Sequence, residues 1–268
     1  MNKKLFYANL DKFSKILLDN ATNLQAFLFN STIYVEGIRK SVSQVENYCK
    51  KGSRILDLGC GTGFLSTELS SLGFYVEGID VEADNPEMIK EFKKRRGLQT
   101  EIWKALENSN TRFKFYDGIK IPYSDQSFDA VVAHAVIEHI SVDNIDKTFQ
   151  EIQRVLKPGG YFFIFRTPRK QALMEYVARI LGIGSPHVLM EEQGIISMLN
   201  TNNFEVVSFQ KTDMVLGFLP GKLQDVWNFL SHDLLIIDKL LLKTPLSYLA
   251  HHMQILCRKR EETTKSLL

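Results

Sequence analysis

Cysteine is scarce in this sequence: Cys49, Cys60 and Cys257 are the only three in 268 residues, far apart and with no C-x-x-C pair. That excludes a disulfide framework and a cysteine-based zinc site, and it suits a reducing compartment. Charge of one sign is also missing. The 33 basic and 31 acidic residues leave a formal net charge of +2, too little to hold a nucleic-acid backbone or an anionic membrane by electrostatics alone. No apolar run reaches the ~20 residues that a spanning helix needs. The basic start, Met1 to Lys4, could open an export leader, but Asp11, Lys12 and Lys15 interrupt the apolar stretch that would have to follow. The expected address is cytoplasmic, at most peripheral at a membrane surface. With 44% apolar and 24% charged residues, the chain can bury one large core with appendages.

What is present is concentrated between Ser53 and Leu65. An apolar run of strand type (Ile55, Leu56, Leu58) leads into Gly59, Gly61 and Gly63, and a helical pattern (Leu65, Leu69, Leu72) follows. Strand, glycine turn and helix make the first unit of a nucleotide-binding α/β sheet. The spacing narrows the ligand. A dinucleotide fingerprint wants a small residue at position 64, where Phe64 stands, and a P-loop wants Gly-Lys-Ser/Thr, which is missing. Asp57-x-Gly59-x-Gly61-x-Gly63 places a carboxylate in a loop without lysine, which suits a cationic ligand lacking phosphate. The next strand, Tyr75 to Asp80, ends in an acid positioned to accept hydrogen bonds from two ribose hydroxyls.

Leu56 to Gly63, together with Asp80, resembles the first two motifs of the class I S-adenosylmethionine-dependent methyltransferases. Arg154 to Gly160 is similar to the string before the fifth strand of the ubiquinone/menaquinone-biosynthesis and other small-molecule enzymes of that family. The resemblance covers about residues 50–170. It implies a doubly wound, Rossmann-like α/β fold with a seven-stranded sheet whose last strand is antiparallel. It also implies S-adenosyl-L-methionine as cofactor, held by Asp57, Gly59, Cys60, Gly61, Thr62, Gly63, Asp80, Asp117, Gly118 and His134, with an acid at 117 accepting from the adenine amino group.

Three divisions are expected: an N-terminal helical cap (1–50), the cofactor-binding core (51–170), and the rest of the sheet (171–268) with a helical lid inserted at about 214–250. In the cap, apolar residues at 6, 10, 13, 17, 21, 24 and 28 form one helical face, Gly37 weakly interrupts a second helix, and Phe6, Phe27, Phe29 and Tyr34 are available to an acceptor pocket. Strands are expected at Arg112–Tyr116, Phe128–Ala133, Tyr161–Phe165, Phe204–Phe209 and Gln254–Arg258, with a turn at Lys157–Gly160. Residues 98–111 read as a helix without chemistry.

Methyl transfer asks mainly for alignment of acceptor and methyl group, and a general base helps only where the acceptor arrives protonated. Glu138, His139 and His187 are the candidates. Glu138-His139 resembles the Glu-x-x-Glu-His metal site of the ubiquinone O-methyltransferases, but Ala135 replaces its first acid, so no metal is assigned. Arg166 could meet an anionic acceptor group or else serve as a salt-bridge partner or solvated strand end. His251 and His252 are expected to begin the last strand. From Leu223 to Leu241 apolar residues cover more than half a helix, which fits a buried helix, a lid over a greasy acceptor, a lipid-touching face or a homodimer contact. The acceptor is expected to be a small or lipid-linked molecule bearing a hydroxyl. RNA ribose methylation, suggested by Ile137 to Ile140, lacks a basic surface. A catalytically silent binding partner would have no use for an intact glycine loop.

Overall fold

The computed structural model describes residues 3–20, 29–81, 99–180, 188–217, 219 and 222–261. Two helices open the chain, α1 (Lys3–Asn20) and α2 (Thr32–Tyr48). The Ser31 side chain caps α2 by accepting from the Tyr34 backbone N–H. The sheet then alternates with helices: β1 (Arg54–Leu58), α3 (Phe64–Ser71), β2 (Tyr75–Val81), a helix α4 at 99–106, β3 (Thr111–Tyr116) and β4 (Phe128–His134). After a 3-10 turn at Ile137–His139 come α5 (Val142–Val155), β5 (Leu156–Pro168), α6 (Leu173–Ile180), α7 (Glu192–Thr201) and β6 (Phe204–Thr212). Two short helices, α8 (Leu223–Phe229) and α9 (Ser231–Leu241), and a 3-10 turn (Pro245–Leu249) precede β7 (His252–Lys259).

The seven strands lie in the order β3-β2-β1-β4-β5-β7-β6, parallel except for β7, which pairs antiparallel with both β5 and β6. This is the expected topology. The order reverses between β1 and β4, and a crevice opens beyond the carboxyl ends of the strands at such a switch point. Burial on both faces explains the near-continuous apolar runs of β1 and β4. One face packs under α5 through Ile145, Phe149 and Ile152. The other packs under α1, α2 and α3, where Phe6, Phe13 and Phe29 gather on Phe64 with ring centroids 4.8 to 5.7 Å apart. Phe64, the residue that rules out a dinucleotide loop, therefore fixes α1 over the glycine turn.

Several expectations need correction. Phe6 is fully buried in that aromatic group and is not available to an acceptor; Phe27 lies outside the described residues, as do positions 21, 24 and 28 of the α1 face. Gly37 does not interrupt α2, which runs through it. Residues 157–160 continue as strand into β5, with Gly159 alone in the left-handed region (φ 71°). The apolar segment near 230 is not a buried helix. It breaks at Leu230, and Gln224, Ser231 and Asp238 are the residues it buries. Asp238 accepts from the backbone N–H groups of Met214 and Val215, and Gln224 from that of Leu219. Polar side chains dock the segment, while Leu223, Val226, Phe229, Ile236, Ile237 and Leu240 stay exposed, Phe229 at 86%. No described helix is long and apolar enough to cross a membrane.

Candidate active site

The crevice begins at the glycine turn after β1. The Gly59 and Cys60 N–H groups both donate to Ile79 O, which tucks the loop against β2. Gly61 lies at φ 53°, and a Cβ there would meet nothing within 4 Å. Gly63, at φ 84°, caps α3, and a Cβ there would run into the Phe113 ring at 2.7 Å. One glycine faces open space, whereas the other makes room for a neighbour.

Asp80, half-buried at the end of β2, accepts through Oδ2 from Gly61 N–H (2.9 Å) and Gln99 Nε2 (2.9 Å), and through Oδ1 from Val81 N–H (2.8 Å). Gln99 Nε2 also donates to Gly61 O at 2.7 Å, and Trp103 Nε1 donates to the same oxygen at 2.9 Å. Trp103 is stacked on Phe113. Contrary to expectation, α4 thus takes part in the site, holding the glycine turn from the outside. Asp57 is buried and accepts from Ser66 Oγ at 2.5 Å. Burial, reinforced by the Asp80 charge, pushes its carboxyl up to about 7, so near neutral pH it is only partly ionised. Cys60 is buried beside it, and burial drives the thiol well above its ordinary range. Thr62 is partly exposed. Asp117 is exposed and caps its own turn, accepting from Ile119 and Lys120 N–H at 2.8 Å each; those bonds lower its pKa. Gly118 follows at φ 76°.

On the far side of the switch point the strand ends carry a second group of polar side chains. His134 ends β4, half-buried, with Nε2 sealed from solvent and without a hydrogen bond. Burial, then the nearby Arg166 and His252, lower its pKa to about 3, so the ring is neutral. Glu138 is 4% exposed, and its Oε2 is likewise unbonded. Burial raises this carboxyl to about 7 against the opposing pull of Arg166. The adjacent His139 is exposed. His187 lies outside the described residues. No group of three or more metal-ligating side chains occurs among the described residues.

Two residues of this group carried no signal as a pair. Asp213, just past β6, meets His252 Nδ1 at 2.7 Å at the start of β7. Burial opposes ionisation of Asp213, but Arg166 and His252 outweigh it and hold the carboxyl well below its usual range. His252 is pulled down to about 3 by burial and by Arg166, so a neutral ring donates Nδ1–H to the carboxylate. Arg166 itself sits where the β5–β7 ladder slips: Ile164 pairs with Ile255 but Thr167 with Met253, so two residues of β5 face one of β7. Such a bulge re-aims a side chain. Arg166 and Ala135, at neighbouring strand ends, both adopt left-handed backbone (φ 57° and 55°), a strained conformation that clusters at functional sites.

Residues 56–164 match the family model described as a methyltransferase domain. Mouse mitochondrial ubiquinone biosynthesis O-methyltransferase is 27% identical over 226 residues, 81% of this chain and 54% of that protein. A sterol 24-C-methyltransferase of Gibberella zeae is 31% identical over 150 residues, 53% of this chain and 36% of the relative. The chain thus spans little more than half the length of either relative at most. Among solved structures, magnesium protoporphyrin IX methyltransferase from Synechocystis, with S-adenosylhomocysteine bound, superposes with a TM-score of 0.59 over 94% of each chain at 16% identity, a likeness of fold.

The residues present fit S-adenosylmethionine. The open space at Gly61 lets the ligand approach backbone, and the Asp80 carboxylate borders that space. A carboxylate offers about four acceptor positions. Three are taken at Asp80, so two ribose hydroxyls require Gln99 to swing aside. The sheet order, the glycine turn and the matched residues together mark out a class I S-adenosylmethionine-dependent methyltransferase domain in this chain.

Proposed function

We propose that the protein methylates a hydroxyl on a small apolar or lipid-linked acceptor. The carrying observation is Glu138: a buried carboxyl with one oxygen unbonded and a pKa near neutrality, beside the strand end that borders the crevice. A hydroxyl must lose its proton as it is methylated, and a base works best with a pKa near the working pH. S-adenosylmethionine, when bound, supplies the electrophilic methyl group. The glycine turn and Asp80 orient that cofactor, Glu138 takes the proton, and the neutral His134 adds no competing charge. Of the candidate bases, exposed His139 suits this task less well.

The acceptor's apolar character is supported by the inverted α8–α9 segment. Each Leu, Ile or Phe withdrawn from water contributes roughly 1.5 to 3 kcal/mol, and seven exposed large apolar side chains between Leu223 and Leu240 are more than scattered surface residues explain. The same face would serve a membrane surface or a second subunit. Incubation with methyl-labelled cofactor and a cell extract, followed by partition between organic and aqueous phases, tests the reading. Label is expected in the organic phase. Label confined to RNA would establish the ribose-methylating alternative, and label in water-soluble metabolites alone would remove the apolar acceptor.

A further inference from the structure

Arg166 fills neither of the structural duties that an arginine at a strand end usually serves. It is 8% exposed, too buried for a freely solvated end, and none of its nitrogens is among the sealed atoms left without a partner. Among the described residues no carboxylate lies within ion-pair distance of it and no acceptor hydrogen-bonds its guanidinium. A buried charge without either is costly unless something else meets it. Asp213, the acid nearest in effect, is close enough to be shifted by the Arg166 charge, yet it gives Oδ2 to His252. It balances the charge without using the donors. Of the other ionisable groups facing the guanidinium, His134 and His252 are neutral, and Glu138, with its pKa raised to about 7, carries only part of a charge at neutral pH.

The backbone makes room for the guanidinium itself. The Tyr34 ring lies 5.0 Å from the guanidinium carbon, and two glycines approach its nitrogens. A Cβ on Gly37 would come within 3.0 Å of one guanidinium nitrogen, and a Cβ on Gly217 within 3.4 Å of the other. Gly37 sits inside α2, where glycine is unfavourable relative to alanine, so the place of the guanidinium is kept at the expense of helix stability. The bulge in β5 turns the side chain into that space beside the ends of β4 and β5.

We propose that the Arg166 guanidinium binds an oxyanion carried by the methyl acceptor, a carboxylate or a phosphate ester. The planar fork matches either group with two parallel hydrogen bonds, which a lysine ammonium does not. The inference rests on the methyl-transfer reading, and its test is kept separate from turnover.

Benzoate, phenyl phosphate and neutral benzyl alcohol are titrated against the cofactor-free protein by ligand-observed NMR, and S-adenosylhomocysteine affinity is measured on the same samples. At least one anion is expected to bind ~10-fold tighter than benzyl alcohol, and the better of the two identifies carboxylate or phosphate as the group read. Arg166→Met should abolish the preference and Arg166→Lys should retain part of it, both with homocysteine-product affinity unchanged. Asp213→Asn, which leaves Arg166 in place and removes the balancing carboxylate, should tighten the anion a further several-fold. Equal binding of anions and alcohol by the wild type, a preference that survives Arg166→Met, or an Asp213→Asn variant that binds the anion no better would overturn the assignment. Loss of S-adenosylhomocysteine binding in the wild type would instead strike the methyltransferase reading, whatever the anions do.

Discussion

The contrast between Gly61 and Gly63 gives the sharpest test of the cofactor site, because it separates stability from binding. Both lie in the left-handed region, so alanine at either position carries a strain of about 1 to 2 kcal/mol. At Gly61 nothing else is added, since the new Cβ points into open space. At Gly63 the Cβ would lie 2.7 Å from the Phe113 ring, which is itself stacked on Trp103. Overpacking there adds about 1 to 3 kcal/mol. Gly61→Ala should therefore lose ~1 to 2 kcal/mol in urea unfolding, a Tm shift of a few degrees for a chain of this size, and Gly63→Ala roughly twice as much. Calorimetry with S-adenosylhomocysteine should reverse the ranking of interest. The methyl group at 61 occupies the space that the cofactor would use and should weaken binding at least 30-fold while the fold stays intact. Wild-type affinity in a folded Gly61→Ala variant would falsify the placement of the cofactor at this turn. Equal destabilisation by the two substitutions would show that the space at Gly61 is not open.

Other consequences follow from the same site and its core. Asp80→Ala should weaken S-adenosylhomocysteine by on the order of 2 to 4 kcal/mol, the value of two charge-assisted hydrogen bonds, whereas Gln99→Ala, by removing a competitor for Asp80 Oδ2, should tighten it two- to fivefold; weaker binding by Gln99→Ala would make that side chain a ligand contact. Glu138→Gln should lower kcat ~100-fold with cofactor affinity unchanged. In the wild type kcat should rise with pH through about 7 as the carboxyl ionises, and a flat profile between pH 6 and 8 would remove Glu138 as base. Glu68 is buried with Oε1 unbonded, and burial raises its pKa to about 8. The unfolded chain releases that proton near the ordinary glutamate range and the folded chain only near 8, so stability falls as pH rises between the two and levels off above. Glu68→Gln should recover on the order of 4 kcal/mol at pH 9 and little at pH 4, read as Tm against pH.

What was legible in the sequence was local. Turn chemistry and strand patterning lie within a dozen residues, so the glycine turn, Asp80 and the strand succession were readable, and the seven-stranded sheet with its antiparallel last strand followed from the family resemblance. Gln99 and Trp103 were not, because their partner is a backbone oxygen 38 and 42 positions away and nothing in a helical pattern announces a hydrogen bond to a distant carbonyl. Arg166 was visible as a candidate, but the bulge that turns it inward depends on the register of β7. Asp213 and His252 meet only because β6 and β7 are neighbours. The Leu- and Ile-rich segment was misread in part for a different reason: apolar periodicity reports which face is greasy, and burial was assumed to follow it. Here Gln224 and Asp238 found backbone partners on the protein side, Ser231 is buried with them, and the apolar face was left outward.

The start of α2 is stitched to the segment after β6 across most of the chain. Ser31 Oγ donates to Gly217 O, Thr32 N–H donates to Asn228 Oδ1, and Asn228 Nδ2 donates to Asn30 O, across 186 to 198 residues. Pairings of that length close late, because loop entropy must be overcome before they stabilise anything. The cofactor half, made from consecutive strands in the middle of the chain, can form without them. In native-state hydrogen exchange the amides of residues 32–35 and 214–217 should open at lower free energy than those of β1 and β4, and during synthesis the acceptor side would be completed only after the last strand has left the ribosome. A fold assembled in that order binds its cofactor before it has a finished pocket for anything else.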